Sequence, residues 1–246
     1  MNNIGFGIFC FGAEHYYKGS VEKIKRILNS GFHCYILTEN PSYFDENISS
    51  MYLHVIKYDR SFKSYSDKMI LFKYILNQHD IGILIDADAN IIDYSFLNQL
   101  KKYEFKYGIS YIETLLAHNA KKEFVKDLIN IQHQEWSSFD LYAKKVYPSY
   151  SELQTIWEYF LVINKTGFNE KRFFEHYEKL QLAKEFSDLG MGKKVNGAGE
   201  GILMAIASKL SETDLNYDLE LKELLKDQIK PITHHTPKHL LPDFMK

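Results

Sequence analysis

The chain of 246 residues predicts an α/β fold: an open, mostly parallel sheet flanked by helices in a single domain. Three observations carry this. Short apolar runs of strand length alternate with stretches of helical periodicity through the first half, the pattern of an open α/β sheet. Hydrophobic residues make up 45% of the chain and aromatics 15%, enough to bury a sizeable core. No internal repeat, low-complexity tract or Pro/Ser-rich linker divides the sequence, so residues 1–246 read as one unit.

The first strand is expected at Ile4–Phe11, where glycines and short length suit a strand better than a secretory leader. The next strands follow at Phe32–Thr38, Tyr52–Tyr58 and Ile81–Ile85. Between the first two lies "YKGSVEKIKRILNS", with Val21, Ile24, Ile27 and Leu28 on one helical face and Gly31 as the stop signal. "YSDKMILFKYILNQHD" precedes the fourth strand; Ser66 can cap it, and Met69, Ile70, Phe72, Tyr74, Ile75 and Leu76 give it an apolar body. Further on, a short helix is expected over 94–102, a strand over 107–112 and a polar amphipathic helix over 119–135. "TIWEYFLVINK", 155–165, reads as one strand and "NEKRFFEHYEKLQLAKEF" as the helix after it. The glycine-rich "GMGKKVNGAGEG" then leads into the short helix "ILMAIASKL", with residues 190–199 expected to be a mobile loop over the ligand.

Charge and composition narrow the function. Thirty basic residues against thirty-two acidic ones give a formal charge of -2, so no global field favours a nucleic-acid polyanion. No apolar run approaches the roughly 18 residues that span a bilayer. The two cysteines, Cys10 and Cys34, fall in apolar stretches read as neighbouring strands, which suits buried thiols and a cytoplasmic protein. The tail "HLLPDFMK" is the one segment suited to a peripheral membrane contact, although packing on its own domain is the favoured reading.

Chemistry concentrates in "ILIDADANI", residues 83–91, where Asp86 and Asp88 follow the most apolar strand. Ligands of open α/β sheets gather outside the carboxyl ends of the strands. Residues i and i+2 of an extended chain point the same way, so both carboxylates can aim at one point. Their mutual repulsion is relieved by a hard dication such as Mn²⁺ or Mg²⁺, which keeps coordination sites for substrate phosphates and so points to a nucleotide diphosphate. An aspartate that caps a helix or closes a turn is the plain alternative for either residue.

"SDKMILFKYILNQHDIGILIDADANI", a helix opening with Lys68 and then a strand ending in Asp-Ala-Asp, resembles the central signature of GT-A fold glycosyltransferases, particularly the glycogenin-like and galactosyltransferase families. The resemblance is strongest over residues 60–95. It implies a Rossmann-like GT-A domain in which residues 1–95 bind the nucleotide sugar, and residues 96–246 bind the acceptor and supply a carboxyl-terminal tail over the donor. It implies that Asp86 contacts the donor ribose or shares the metal, that Asp88 binds the metal, and that Lys68 approaches the donor sugar or phosphate; a solvated lysine in a first helical turn is the alternative for Lys68. Lys73 stays outside the site.

In the tail, "PITHHTPKH" offers His234, His235, Lys238 and His239. The resemblance implies one histidine on the metal, His235 ahead of His234, and Lys238 on the diphosphate. Here the lysine stands nearer the histidines than in the glycogenin-like pattern, and a merely solvated tail is the competing reading. By analogy with the fold, the base sits near the ends of the first and third strands, where Phe11, Gly12 and Tyr16 and then Tyr58 and Asp59 occur; core packing is the competing role of the tyrosines. On the acceptor side the candidates are Trp157 and Glu158, which strand alternation sends to opposite faces, and Glu200, which stands equally as a first-turn glutamate on the helix dipole. Trp136 is a further stacking candidate.

The implied activity is transfer of a sugar from a UDP-sugar to a hydroxyl of a glycan, protein or other acceptor, with Mn²⁺ or Mg²⁺ as cofactor and retention favoured. Glu200 is the base if configuration inverts. A silent sugar-nucleotide-binding protein is the first alternative. A haloacid-dehalogenase-like phosphatase fits less well, because its Asp-x-Asp follows the opening strand, and Asn90 stands here where that pattern has Thr or Val.

Overall fold

The apolar runs of the first half are parallel strands, each joined to the next by a helical crossover that returns the chain to the same end of the sheet. In the computed structural model, which describes residues 2–59, 65–112, 114–116, 141–149, 153–156, 159–183 and 198–230, this half runs β1 Ile4–Cys10, α1 Glu14–Asn29, β2 His33–Thr38, α2 Pro41–Asn47 and β3 Leu53–Lys57. A 3₁₀ turn at Tyr65–Met69 then leads into α3 Ile70–Leu76 and β4 Ile81–Ile85. The second half adds β5 Asn90–Ile91, α4 Phe96–Leu100, β6 Ile109–Tyr111, β7 Thr114–Leu116, β8 Gln154–Ile156 and β9 Phe160–Asn164. It continues with α5 Glu170–Leu182, α6 Ala198–Leu210, β10 Leu215–Tyr217, α7 Leu219–Leu225 and β11 Ile229–Lys230.

Seven of these strands form one sheet in the order β10-β6-β9-β4-β1-β2-β3. All its pairings are parallel except those of β9, which runs against both β4 and β6. From β1 the chain builds outward through β2 and β3, then returns to place β4 on the other side of β1. That reversal of strand order makes the carboxyl ends of β1 and β4 the switch point, the place where ligands of open α/β sheets gather.

Strand alternation divides the core in two. Ile4, Phe6, Ile8 and Cys10 of β1 join Cys34 and Ile36 of β2 and Ile81, Ile83 and Ile85 of β4 on the face covered by α1. Phe9, Tyr35, Leu37 and Leu84 point to the other face, with Leu71, Phe72 and Ile75 of α3. On this second face β1 and β4 carry glycines. A Cβ on Gly7 would stand 2.7 Å from Leu84 and 2.9 Å from Ile75, and one on Gly82 would stand 2.8 Å from Phe72. The missing side chains let α3 lie close on the sheet, and α3 in turn fixes the 3₁₀ turn at the crevice edge.

Three expectations change. The run 155–165 is not one strand: Gln154–Ile156 pairs with β7 in a separate two-stranded ladder, and Phe160–Asn164 is the antiparallel strand between β4 and β6. The chain changes sheet between Ile156 and Phe160, where Glu158 interrupts an otherwise strand-like run. The helix before β4 also begins differently: α3 has Met69 at its cap position with no side-chain cap, and Ser66 lies within the preceding 3₁₀ turn. Helix α1 starts at Glu14, one turn earlier than its apolar stripe suggests, and ends where Gly31 takes φ +82°. The expected helix at 119–135 and Trp136 lie outside the described residues.

At the opposite, amino-terminal edge, His79 is buried beneath β1 and β2. Asn3 donates through Nδ2 to the Gln78 carbonyl at 3.1 Å, which turns its Oδ1 toward His79 Nδ1 at 2.7 Å. An amide oxygen only accepts, so Nδ1 carries the proton and Nε2 accepts from the Tyr35 hydroxyl at 3.2 Å. Burial, and then the neighbouring His33 and His54, hold the His79 pKa down to about 4, from an ordinary 6.5. Between those values the unfolded chain binds the proton and the folded chain does not, so stability rises with pH across the window. The urea midpoint should therefore fall as pH drops from 6.5 toward 4, and His79→Gln should flatten that slope. A slope identical in the variant would contradict the assignment.

Candidate active site

The couplet continues the alternation of β4. The Asp86 amide donates to the Tyr159 carbonyl at 3.0 Å, prolonging the β4–β9 ladder by one bond. The chain then closes a turn, with the Ala89 amide donating to the Asp86 carbonyl at 3.0 Å. Ala87 and Ala89 are buried on the α1 face, while Asp86 and Asp88 are both half-buried. The carboxylates thus sit on a turn rather than on extended chain, yet the in-out order of the strand survives it.

Lys68 reaches the couplet from the α3 side. Its Nζ lies 3.3 Å from Asp86 Oδ1, with the lysine side chain 6% exposed and the aspartate 28%. The lysine belongs to the 3₁₀ turn, not to the first turn of a helix, which corrects the sequence reading. That turn is pinned from below, where Gln181 of α5 donates to the buried Asp67 carboxylate at 3.2 Å. Lys68 is therefore not a solvated lysine.

A second lysine approaches from the other face. Lys23 sits on the buried stripe of α1 with Tyr17, Ser20, Ile24 and Ile27, and its ammonium donates to the Ala87 carbonyl inside the turn. Burial pulls its pKa down to about 8 and Asp88 is the strongest influence holding it up, so it stays charged at neutral pH. Sequence reasoning missed it. The available signal was a lysine three residues past Ser20 and four before Ile27, inside the helical stripe.

Burial, and after it the negative charge of Asp86, push the Asp88 carboxyl above its ordinary range, against Lys23, its own backbone amide and Lys68. Like-charge repulsion is what a dication between two carboxylates relieves, and an all-oxygen donor pair suits Mn²⁺ or Mg²⁺. The residues present fit such an ion. Among the described residues no group of three or more His, Cys, Asp or Glu side chains is arranged to hold a metal. His234, His235 and Lys238 lie outside the described residues.

Beside the couplet, Gly12 follows β1 and turns the chain into α1 at φ +91°. Its amide donates to Glu39 Oε1 at 3.3 Å, a carboxylate just past β2 that the sequence reading did not single out. Tyr16 lies in the first turn of α1, half-buried, with its ring centroid 4.1 Å from that of His15. Tyr58 packs edge-on to Phe11 at 6.4 Å, the core role weighed for it. Asp59 is exposed beyond β3, three strands from β4, a separation of roughly 14 Å at ordinary strand spacing. Glu200 falls in the first turn of α6, and its side chain, with Trp157 and Glu158, lies outside the described residues.

No protein family and no curated protein matches the chain in sequence. Solved structures are similar to it. The bifunctional glycosyltransferase WbbM, in its apo form, aligns over 88% of this chain and 39% of its own, with 10% identity and a TM-score of 0.45. An active-site mutant of LgtC aligns over 87% of this chain and 72% of its own, with 12% identity and a TM-score of 0.49. Mouse xyloside xylosyltransferase 1, also apo, aligns over 87% and 84%, with 9% identity and a TM-score of 0.46. All three are glycosyltransferases. The chain spans well under half the length of the first of them.

The backbone at Gly12 gives a direct test. No atom lies within 4 Å of the place its Cβ would take, so any cost of a side chain there comes from the left-handed conformation alone. Gly12→Ala should lower unfolding free energy by about 1–2 kcal/mol, and Gly12→Asn by less, in urea titrations. Equal stability of all three chains would contradict the required conformation.

Proposed function

We propose that the chain is a metal-dependent glycosyltransferase of GT-A type, moving a sugar from a UDP-sugar to an acceptor hydroxyl with retention of configuration. The observation that carries this is the half-buried Asp86–Asp88 couplet at the β1/β4 switch point, with Asp86 engaged by Lys68. Residues 1–95 form the donor-binding half and residues 96–246 the acceptor half in this reading.

A dication on Asp88 and Asp86, when bound, supplies charge neutralisation for the diphosphate. Lys68, paired with Asp86, orients the donor by bonding a sugar hydroxyl or phosphate oxygen. The base lies along the edge past Gly12 and Tyr16 toward Asp59. Retention leaves the acceptor proton to the departing phosphate and asks for no protein base, with Glu200 placed beside the acceptor hydroxyl. Trp157 and Glu158 are the further acceptor contacts.

The tail readings gain support from one ladder. Lys230 pairs with Asn90, and Ile229 with Ile91, so the chain leaves its last described strand beside the segment that follows the couplet. His234 and His235 are four and five residues further along, a span of at most roughly 18 Å. That reach suits a histidine ligand from the tail, with His235 first and His234 second, and Lys238 on the leaving diphosphate.

Incubation with UDP-sugars and Mn²⁺ should release UDP by slow hydrolysis when no acceptor is present, and product analysis should show a retained anomer. Asp88→Ala should cut metal-dependent turnover roughly a hundredfold or more while the unliganded chain stays folded by circular dichroism. Unchanged turnover in that variant, or phosphate release from monoesters in place of UDP release, would overturn the assignment.

A further inference from the structure

Two lysines meet one acidic couplet from opposite faces of the sheet. Lys68 comes from the α3 side onto Asp86, and Lys23 comes from α1 onto the carbonyl of Ala87 between the two aspartates. Both are buried, at 5% and 2% exposure. Lys23 occupies a core position of α1 where its neighbours on the stripe are Tyr17, Ile24 and Ile27. An apolar side chain there would avoid the desolvation of an ammonium, and exchanging buried charge for packed hydrophobic groups is often neutral or stabilising. Packing therefore gives no reason for a lysine, whereas the couplet directly above it does.

Two ammonium groups stand against the two carboxylates of the couplet and offset their charge. A bare dication entering it would gain the carboxylates but face both lysines across a poorly screened interior. A nucleotide diphosphate arriving with the dication reverses that balance, because its own negative charges give the lysines new partners. Resting on the couplet being a cation and diphosphate site, we propose that Lys23, together with Lys68, is a counter-charge that keeps the free couplet's dication affinity low, so that the metal enters with the nucleotide diphosphate rather than ahead of it. Lys23 acts through the couplet and is a positioning residue, not a catalytic one.

The test is Mn²⁺ binding, read from the paramagnetic resonance signal of unbound ion, for the whole chain without and with UDP. Lys23→Met keeps the length of the side chain and removes the charge. It should bind Mn²⁺ alone roughly tenfold or more tighter than the unaltered chain, and UDP should improve its Mn²⁺ binding by a smaller factor. Lys68→Met removes the charge from the other face and should also tighten binding of Mn²⁺ alone, which keeps the proposal testable if Lys23→Met does not fold. Asp88→Ala should abolish binding in every background. Affinity unchanged or weakened in the methionine variants, with dependence on Asp88 intact, would overturn the counter-charge alone. Binding indifferent to Asp88, or absent from every protein, would overturn the metal reading with it.

Discussion

Two carboxylates held two residues apart at the mouth of a buried strand repel one another, and the surrounding structure is arranged around that repulsion. The turn at Asp86–Ala89 keeps both half-buried while their alanine neighbours are buried. A lysine is brought from each face of the sheet, yet burial, and after it the charge of Asp86, still hold the Asp88 carboxyl above the ordinary range. An electrostatic need remains that a dication and its phosphate ligand can meet.

The sheet supplies the rigidity this requires. β4 is flanked by β1 on one side and β9 on the other, so the couplet is carried by an interior strand whose backbone is bonded along both edges. Gly82 on that strand and Gly7 on β1 let α3 settle onto the sheet, and the Gln181–Asp67 bond ties the turn holding Lys68 to α5. Position at the crevice is thus fixed by core packing at a distance from it. The amino-terminal edge, where His33, His54 and His79 cluster with Tyr35, belongs to stability rather than to chemistry.

Much of this was legible in the sequence. Ile81–Ile85 is a continuous apolar run between aspartates, and the structure places β4 on those five residues. The pattern of β1 through β4 with intervening helices gave the parallel half of the sheet, because buried parallel strands leave an unmixed hydrophobic signal. Strand-forming residues in sequence can also mislead: Ile156 and Phe160 read as one strand but belong to different sheets, with Glu158 between them the one mark of the break. Lys68 was recognisable by its place before β4, while its 3₁₀ setting was not, since local propensity does not separate a tight turn from the first turn of a helix. Lys23 was hidden for another reason. A lysine in a helix is ordinarily solvated, and only the three-dimensional meeting of α1 with the turn after β4 shows what its charge faces.

The most direct measurement is anomalous diffraction from crystals soaked in Mn²⁺ and UDP. A single strong manganese peak within coordination distance of Asp88 and Asp86, with the diphosphate completing its shell and the base lying toward the ends of β1 and β3, is the predicted result. Manganese bound elsewhere, with Asp86 still paired to Lys68 and no nucleotide at the switch point, would contradict the account.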